Sequence, residues 1–268
     1  MTKLAMMFAT GAVALTLCLA TARLQAAPSG TSAGSQSAQT GPKGAPSGVT
    51  VKIGGRVTDF DGNPVDGATI ELKNSRFENA AEGTSDKDGL YTLTAPKGIY
   101  MALAAVKDYR VKSLEYWAWT VPAERDIEIN PRFDRLEVYG INAWRPQGGY
   151  KSYQIYFRPM SLTRTIKAVQ AAGGMENLGK LAVIDIAPEL TADDIQVAIA
   201  GQPVKVLQVN KVREASSPSQ YLFGYLIQVP LPEKSPVAEY FPITIALIDR
   251  ATGEKGEGCL YFHPARLL

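Results

Sequence analysis

Histidine occurs once, at His263, and cysteine twice, at Cys18 and Cys259, in 268 residues. One imidazole excludes a multi-histidine metal site. Two cysteines cannot build a zinc knuckle or a disulfide-dense scaffold. Charge of one sign is also scarce: 28 Lys and Arg against 26 Asp and Glu leave a formal net charge of +2. That balance gives no electrostatic reason for nucleic acid or an anionic membrane as the main partner. Glycine-rich phosphate loops and H-E-x-x-H do not occur. Long hydrophobic runs are confined to residues 4–20; later runs, such as 243–248, have strand length and are too short to cross a bilayer. What is present is 46% hydrophobic residues, enough apolar surface for one or two packed domains.

The run at 4–20 follows Lys3 and ends in small residues, Ala20-Thr21-Ala22, with further cleavage options at Ala26 and Ala27. This is the layout of a secretory signal peptide over residues 1–26. Two competing readings are an uncleaved anchor, interrupted by Thr10, Gly11 and Thr16, and lipid attachment at Cys18, which the bulky Leu17 disfavours. Lys3 and Arg23 are the leader's only charges, so cleavage after residue 26 removes the basic excess. It also removes Cys18 and leaves Cys259 without an internal partner. The sequence therefore predicts export, to a Gram-negative periplasm or the cell exterior. A linker is expected over residues 27–49, and 28–48 of it are Pro, Ser, Gly, Thr, Ala and Gln, with Lys43 the only charge. Such a linker has too little apolar surface to offset the entropy of ordering.

From residue 50 the pattern becomes that of strands. Val51, Ile53 and Val57 form short strand patterns broken by Gly54-Gly55, and Asp61-Gly62 with Asn63-Pro64 marks a tight turn. Ala68, Ile70 and Leu72 alternate with polar residues, as a half-buried strand does. Asp88-Gly89 reads as a hairpin turn before Tyr91-Thr92-Leu93. Strands follow at 99–106 and 114–119, and Ile127 and Ile129 close the unit. About seven short strands with no helical period predict an antiparallel β-sandwich over 50–130. The segments G-R-V-T-D-F-D-G-N-P-V-D-G-A-T-I-E-L (55–72), T-S-D-K-D-G-L-Y-T-L (84–93) and P-K-G-I-Y (96–100) stand in order over this stretch. In these segments the chain resembles carboxypeptidase regulatory-like domains. The resemblance implies a transthyretin-like sandwich grouped with carbohydrate-binding-like folds, used as an accessory module and carrying no catalytic residues.

Residues 131–268 read as a second unit. The strands at 136–144 and 150–158 predict a hairpin, with Tyr153, Ile155 and Phe157 on the core face and Tyr156 opposite. Leu162, Ile166 and Val169 recur at helical spacing, so a short helix is expected over 161–172, with Ser161 as N-cap and Gly173-Gly174 as the stop. Strands are expected at 181–186, 195–199, 204–209, 221–229, 241–248 and 259–262. This order loosely resembles an immunoglobulin-like sandwich. The predicted fold is all-β: two antiparallel β-sandwich domains in tandem, with one short helix in the second.

Candidate sites compete with plainer readings. Asp59, Asp61, Asn63 and Asp66 space like a calcium loop, but the twelfth position from Asp59 is Ile70, not a bidentate Glu. Turn chemistry explains these residues, and the weaker echo at Asp86 and Asp88. Tyr116, Trp117 and Trp119 are the candidate ligand-binding residues. Trp117 and Trp119 share a strand face and, if exposed, would stack on sugar rings; the alternative is core or interdomain packing. Trp144 and Tyr150 carry the same ambiguity. His263 reads as a surface histidine and Cys259 as a small buried hydrophobe; their four-residue spacing would put a Cys–His pair on one face. No cofactor or metal is indicated. The expected function is an exported non-catalytic binding or interaction module of the bacterial cell envelope, with a glycan or an envelope protein as partner. The alternatives are a structural or assembly subunit and, less favoured, a hydrolase.

Overall fold

The computed structural model describes residues 48–264; the predicted leader and all but the last two residues of the linker lie outside the described residues. The element order is β1 (Thr50–Arg56), β2 (Thr69–Lys73), β3 (Asn79–Thr84), β4 (Leu90–Pro96), β5 (Gly98–Val106), β6 (Tyr116–Ala123), β7 (Ile127–Glu128), β8 (Leu136–Trp144) and β9 (Ser152–Ser161). Helices α1 (Leu162–Ala172) and α2 (Met175–Leu178) follow. Then come β10 (Ile195–Ile199), β11 (Gln202–Val204), β12 (Gln208–Ser217), β13 (Gln220–Pro230), β14 (Phe241–Asp249) and β15 (Glu254–Phe262).

These strands form three sheets. A three-stranded sheet has the order β4-β1-β7, and a four-stranded sheet the order β12-β13-β9-β8. The third runs through both halves of the chain, in the order β11-β10-β14-β15-β6-β5-β2-β3. Its halves meet where β15 pairs in parallel with β6, placing Gly258, Cys259 and Leu260 opposite Trp117, Ala118 and Trp119. Because strand side chains alternate between faces, this one sheet serves two cores. Ile70, Leu72, Leu103, Tyr116, Ala118 and Cys259 pack against Val51, Ile53 and Leu93 of the small sheet. Ile243, Ile245, Leu260 and Phe262 pack against Leu136, Ile155, Phe157 and Ile227 of the four-stranded sheet. Cys259 and Leu260, adjacent on β15, therefore serve different cores. The two smaller sheets lie on opposite faces of the long one, and the all-β pair of sandwiches is welded at β6 and β15.

Glycines permit the close approach at this weld. A Cβ on Gly256 would lie 1.9 Å from the Leu136 carbonyl oxygen, and one on Gly258 would lie 2.4 Å from that of Val138. The β8 backbone thus rests directly on β15. In the first sandwich a Cβ on Gly55 would lie 1.8 Å from the Ile129 carbonyl oxygen. Gly54-Gly55 therefore does not interrupt β1, contrary to the sequence pattern: the pair runs through it and lets the 127–130 segment close on it.

The predicted helix forms as α1. The Ser161 hydroxyl accepts from the Arg164 N–H, and Gly173 ends the helix at φ 75°. The 136–144/150–158 hairpin forms as β8 and β9. Tyr153, Ile155 and Phe157 enter the core. Other expectations fail for identifiable reasons. Asp88-Gly89 makes a tight turn, but the strands it joins lie in different sheets, so it arches between layers instead of closing a hairpin. No strand forms at 181–186; that segment touches β13 through a single bridge, Val183 to Tyr221, with Leu181 and Val183 exposed. The stretch 204–209 splits, its ends belonging to β11 and β12 in different sheets. Strand β3 has no apolar alternation to announce it, because it is an edge strand with mostly exposed residues.

Candidate functional site

The aromatic cluster lies at the weld between the sandwiches. Tyr116 points into the first core and is 4% exposed. Trp117 projects from the opposite face and is 6% exposed. It stacks on Trp119 at 5.2 Å between ring centroids and meets Phe77 at 5.8 Å. Trp119 is half-buried and packs against the second core. Tyr116 and Trp117 offer no open face to a sugar ring; of the two arrangements weighed from the sequence, packing describes where these side chains sit. By contrast Trp144 and Tyr150 are solvent-exposed at 36% and 63%.

Beside this cluster lies a feature the sequence pattern concealed, a pair of buried carboxyls. The Trp117 indole N–H donates to Glu137 Oε1 at 2.9 Å, while Glu137 Oε2 has no hydrogen-bond partner among the described residues. Glu115 is also buried. Burial, and then the neighbouring Glu71 charge, pushes the Glu115 carboxyl up to about 7. Burial, and then Glu115, raises Glu137 well above the usual carboxylate range. On β8, Glu137 alternates with the inward Leu136 and Val138, so it reads as solvent-facing; it is buried because the first sandwich covers that face.

Other buried polar groups join elements. Glu254 accepts from the Thr163 N–H at 2.9 Å, the Thr163 hydroxyl at 2.7 Å, the Ser161 hydroxyl, and Arg135 Nε at 3.2 Å. A carboxylate of β15 therefore caps the N-terminus of α1, where the helix dipole favours negative charge. On the outer face of the four-stranded sheet Arg158 grips Glu214, which also accepts from the Tyr156 hydroxyl. Tyr156 does face away from the core.

The remaining sequence candidates are separated. Asp59 accepts from the backbone N–H groups of Asp61 and Asn63, and Asp86 from those of Asp88 and Leu90, all at 2.9 Å. Both are the same carboxylate-bridged turn, with Gly62 at φ 85° and Gly89 at φ 77°. No group of three metal-ligating side chains occurs among the described residues. His263 is half-buried rather than on the open surface. Its Nε2 lies 2.9 Å from Glu239 Oε1, and its ring packs edge-on against Tyr240. Cys259 lies in the first core, and burial pushes its thiol up to about 12. A thiol-specific disulfide reagent at pH 7.5 is therefore expected to label the native protein far more slowly than protein in denaturant; labelling at equal rates would contradict this burial.

An open trough of about 640 Å³ lies over the outer face of the small sheet. Lys52, Arg56 and Thr92 line it from β1 and β4, and Asp126, Glu128 and Asn130 from the β7 side. Gly54 leaves its floor as bare backbone. Asp126 Oδ1 and Asn130 Oδ1 accept from the Lys52 and Arg56 backbone N–H groups, each at 2.8 Å, and so fix the rim. Asn130 Nδ2 donates to Glu128 Oε1 at 2.8 Å. Sequence reasoning missed this site because its residues come from strands far apart in the chain.

No family model matches the chain, and no curated protein matches it. Among solved structures, the major pilin subunit BcpA of Bacillus cereus is 12% identical over 79% of this chain and 67% of its own, with a TM-score of 0.26. A DUF3823 family protein from Bacteroides ovatus is 7% identical over 80% of this chain and 99% of its own, at 0.25. The major pilin SpaD of Corynebacterium diphtheriae is 8% identical over 79% and 64%, at 0.24. Similarity at this level transfers no activity or partner to this chain.

Proposed function

We propose that the chain is an exported, non-catalytic binding module of the bacterial cell envelope, taking a carbohydrate on the outer face of the small sheet. The observation that carries this reading is the trough. It sets ammonium and guanidinium donors, carboxylate acceptors, an amide and a hydroxyl around a bare backbone floor. Convergent donors and acceptors of this kind suit a ligand bearing many hydroxyls. Membership of the carboxypeptidase regulatory-like family belongs to the same proposal, supported by the turns that the three quoted segments make, with Gly62, Gly67 and Gly89 all at positive φ. Export rests on the leader pattern. No helix among the described residues is long and apolar enough to cross a membrane.

The test is glycan-array binding of the wild type beside a Lys52→Ala, Arg56→Ala, Thr92→Val triple variant with an unchanged thermal midpoint. The reading expects a wild-type signal that the variant loses. Binding that survives in the variant moves the ligand elsewhere, and no binding to any glycan removes the carbohydrate.

A second reading, a structural subunit contacting another envelope protein, is favoured by β3, a mostly exposed edge strand of the eight-stranded sheet on which another chain could pair. Crosslinking in intact envelopes separates the two: a defined protein adduct supports the structural role.

A further inference from the structure

Glu137 belongs to β8, the strand through which the second sandwich rests on the shared sheet, and it is 0% exposed. Glu115 immediately precedes β6, the first sandwich's strand at the weld, and is 5% exposed. We propose that Glu115 and Glu137 form a protonation-controlled latch between the two sandwiches, closed while both carboxyls are neutral and loosened when they ionise.

The surroundings explain why neutral carboxyls fit and charged ones do not. From β2, Glu71 and Lys73 face the pair, but Lys73 is held by Glu71 at 2.8 Å and by Asn79 at 2.5 Å. From the 107–113 segment come Tyr109 and Arg110, whose guanidinium packs on the Tyr109 ring and lies 3.5 Å from the Met175 sulfur. Arg110 is thus an attractive charge near the pair, but it makes no ion pair with either carboxyl. From β6, Trp117 supplies the one side-chain hydrogen bond to Glu137, and the Glu115 backbone N–H adds a smaller pull toward the charged form that burial outweighs. From β8, Tyr139 lies near Tyr109. From β9, Met160 stands opposite Glu137 in register, and Arg158 is committed to Glu214.

An ionised Glu137 would therefore carry a buried, unpartnered oxygen beside a second buried carboxylate, an arrangement that disfavours charge on both. The upward displacement of both groups agrees with this geometry. The direction of the pH effect follows. A carboxyl that titrates higher in the folded state contributes stability that is complete below its ordinary value. That contribution is lost as pH rises through about 7 for Glu115, and above the usual carboxylate range for Glu137.

The experiment is hydrogen–deuterium exchange on the full chain at pH 5 and pH 8.5, corrected for intrinsic exchange, with the wild type beside a Glu115→Gln, Glu137→Gln double variant. The wild type is expected to open at β6 and β8 roughly tens of times more readily at pH 8.5 than at pH 5, as a buried Glu115 carboxyl pushed up to about 7 implies. The double variant is expected to lose that pH dependence. Uniform wild-type protection across this pH range would overturn the latch, as would a folded double variant that keeps the wild-type slope. If the double variant does not fold, the wild-type map decides: acceleration confined to β6, β8 and the 107–113 segment supports the latch, and uniform acceleration overturns it.

Discussion

Gly256→Ala is expected to lower the thermal midpoint by roughly 6–12 °C, corresponding to a loss of about 3 kcal/mol in a chain of this size. The cause is steric. The new methyl would lie 1.9 Å from the Leu136 carbonyl oxygen and 2.5 Å from its carbonyl carbon. These are backbone atoms of β8, so relief requires the second sandwich to lift from the shared sheet. Gly98→Ala is the control. Gly98 also lies in a strand, has open space where a Cβ would stand, and has no positive φ. That substitution should be neutral or slightly stabilising, because alanine restricts the unfolded chain. Differential scanning calorimetry of the two variants compares them directly. Equal midpoints would mean that β8 does not rest on β15 as described.

Glu254→Ala carries the second large effect, a loss of about 3–5 kcal/mol. Glu254 is 2% exposed. Its removal strips the acceptor from Ser161, from both donors of Thr163 and from Arg135 at once. It leaves the Thr163 N–H in the first turn of α1 without its acceptor, beside the remaining Ser161 cap, and a partly buried guanidinium without its carboxylate. Glu254→Gln keeps acceptor geometry but loses the charge that the helix terminus and Arg135 favour, so its cost should fall between wild type and alanine. Chemical denaturation of all three proteins checks the order. An alanine variant as stable as the wild type would contradict this account of Glu254.

The elements that could be read from the sequence were those whose signals are local. Ser161 and Gly173 bracket α1 because capping is decided within one turn. Ile155 and Phe157 sit in the core because strand alternation fixes their face. Asp59 and Asp86 are turn residues because their carboxylates bond N–H groups two and four residues ahead. What stayed hidden depends on pairing between distant strands. The parallel contact of β15 with β6 brings residue 258 beside residue 117, and neither strand carries a mark of the other. That contact also decides the fate of the aromatic candidates: Trp117 and Trp119 alternate as an exposed face would, yet the weld encloses Trp117 and half-buries Trp119. Glu137 is the same lesson in a polar residue. Gly256-Glu257-Gly258 is a sequence signal that could have pointed to β8 lying on β15, as alternate glycines in an apolar strand mark close backbone approach.

The central structural claim is that one continuous sheet makes the two sandwiches a single cooperative unit. Scanning calorimetry of the chain at pH 5, on the acid side of the proposed latch, tests it most directly. The account predicts one transition, with the calorimetric enthalpy equal to the van't Hoff enthalpy. Two resolved transitions would contradict it, as would limited proteolysis that releases a stably folded fragment ending near residue 130.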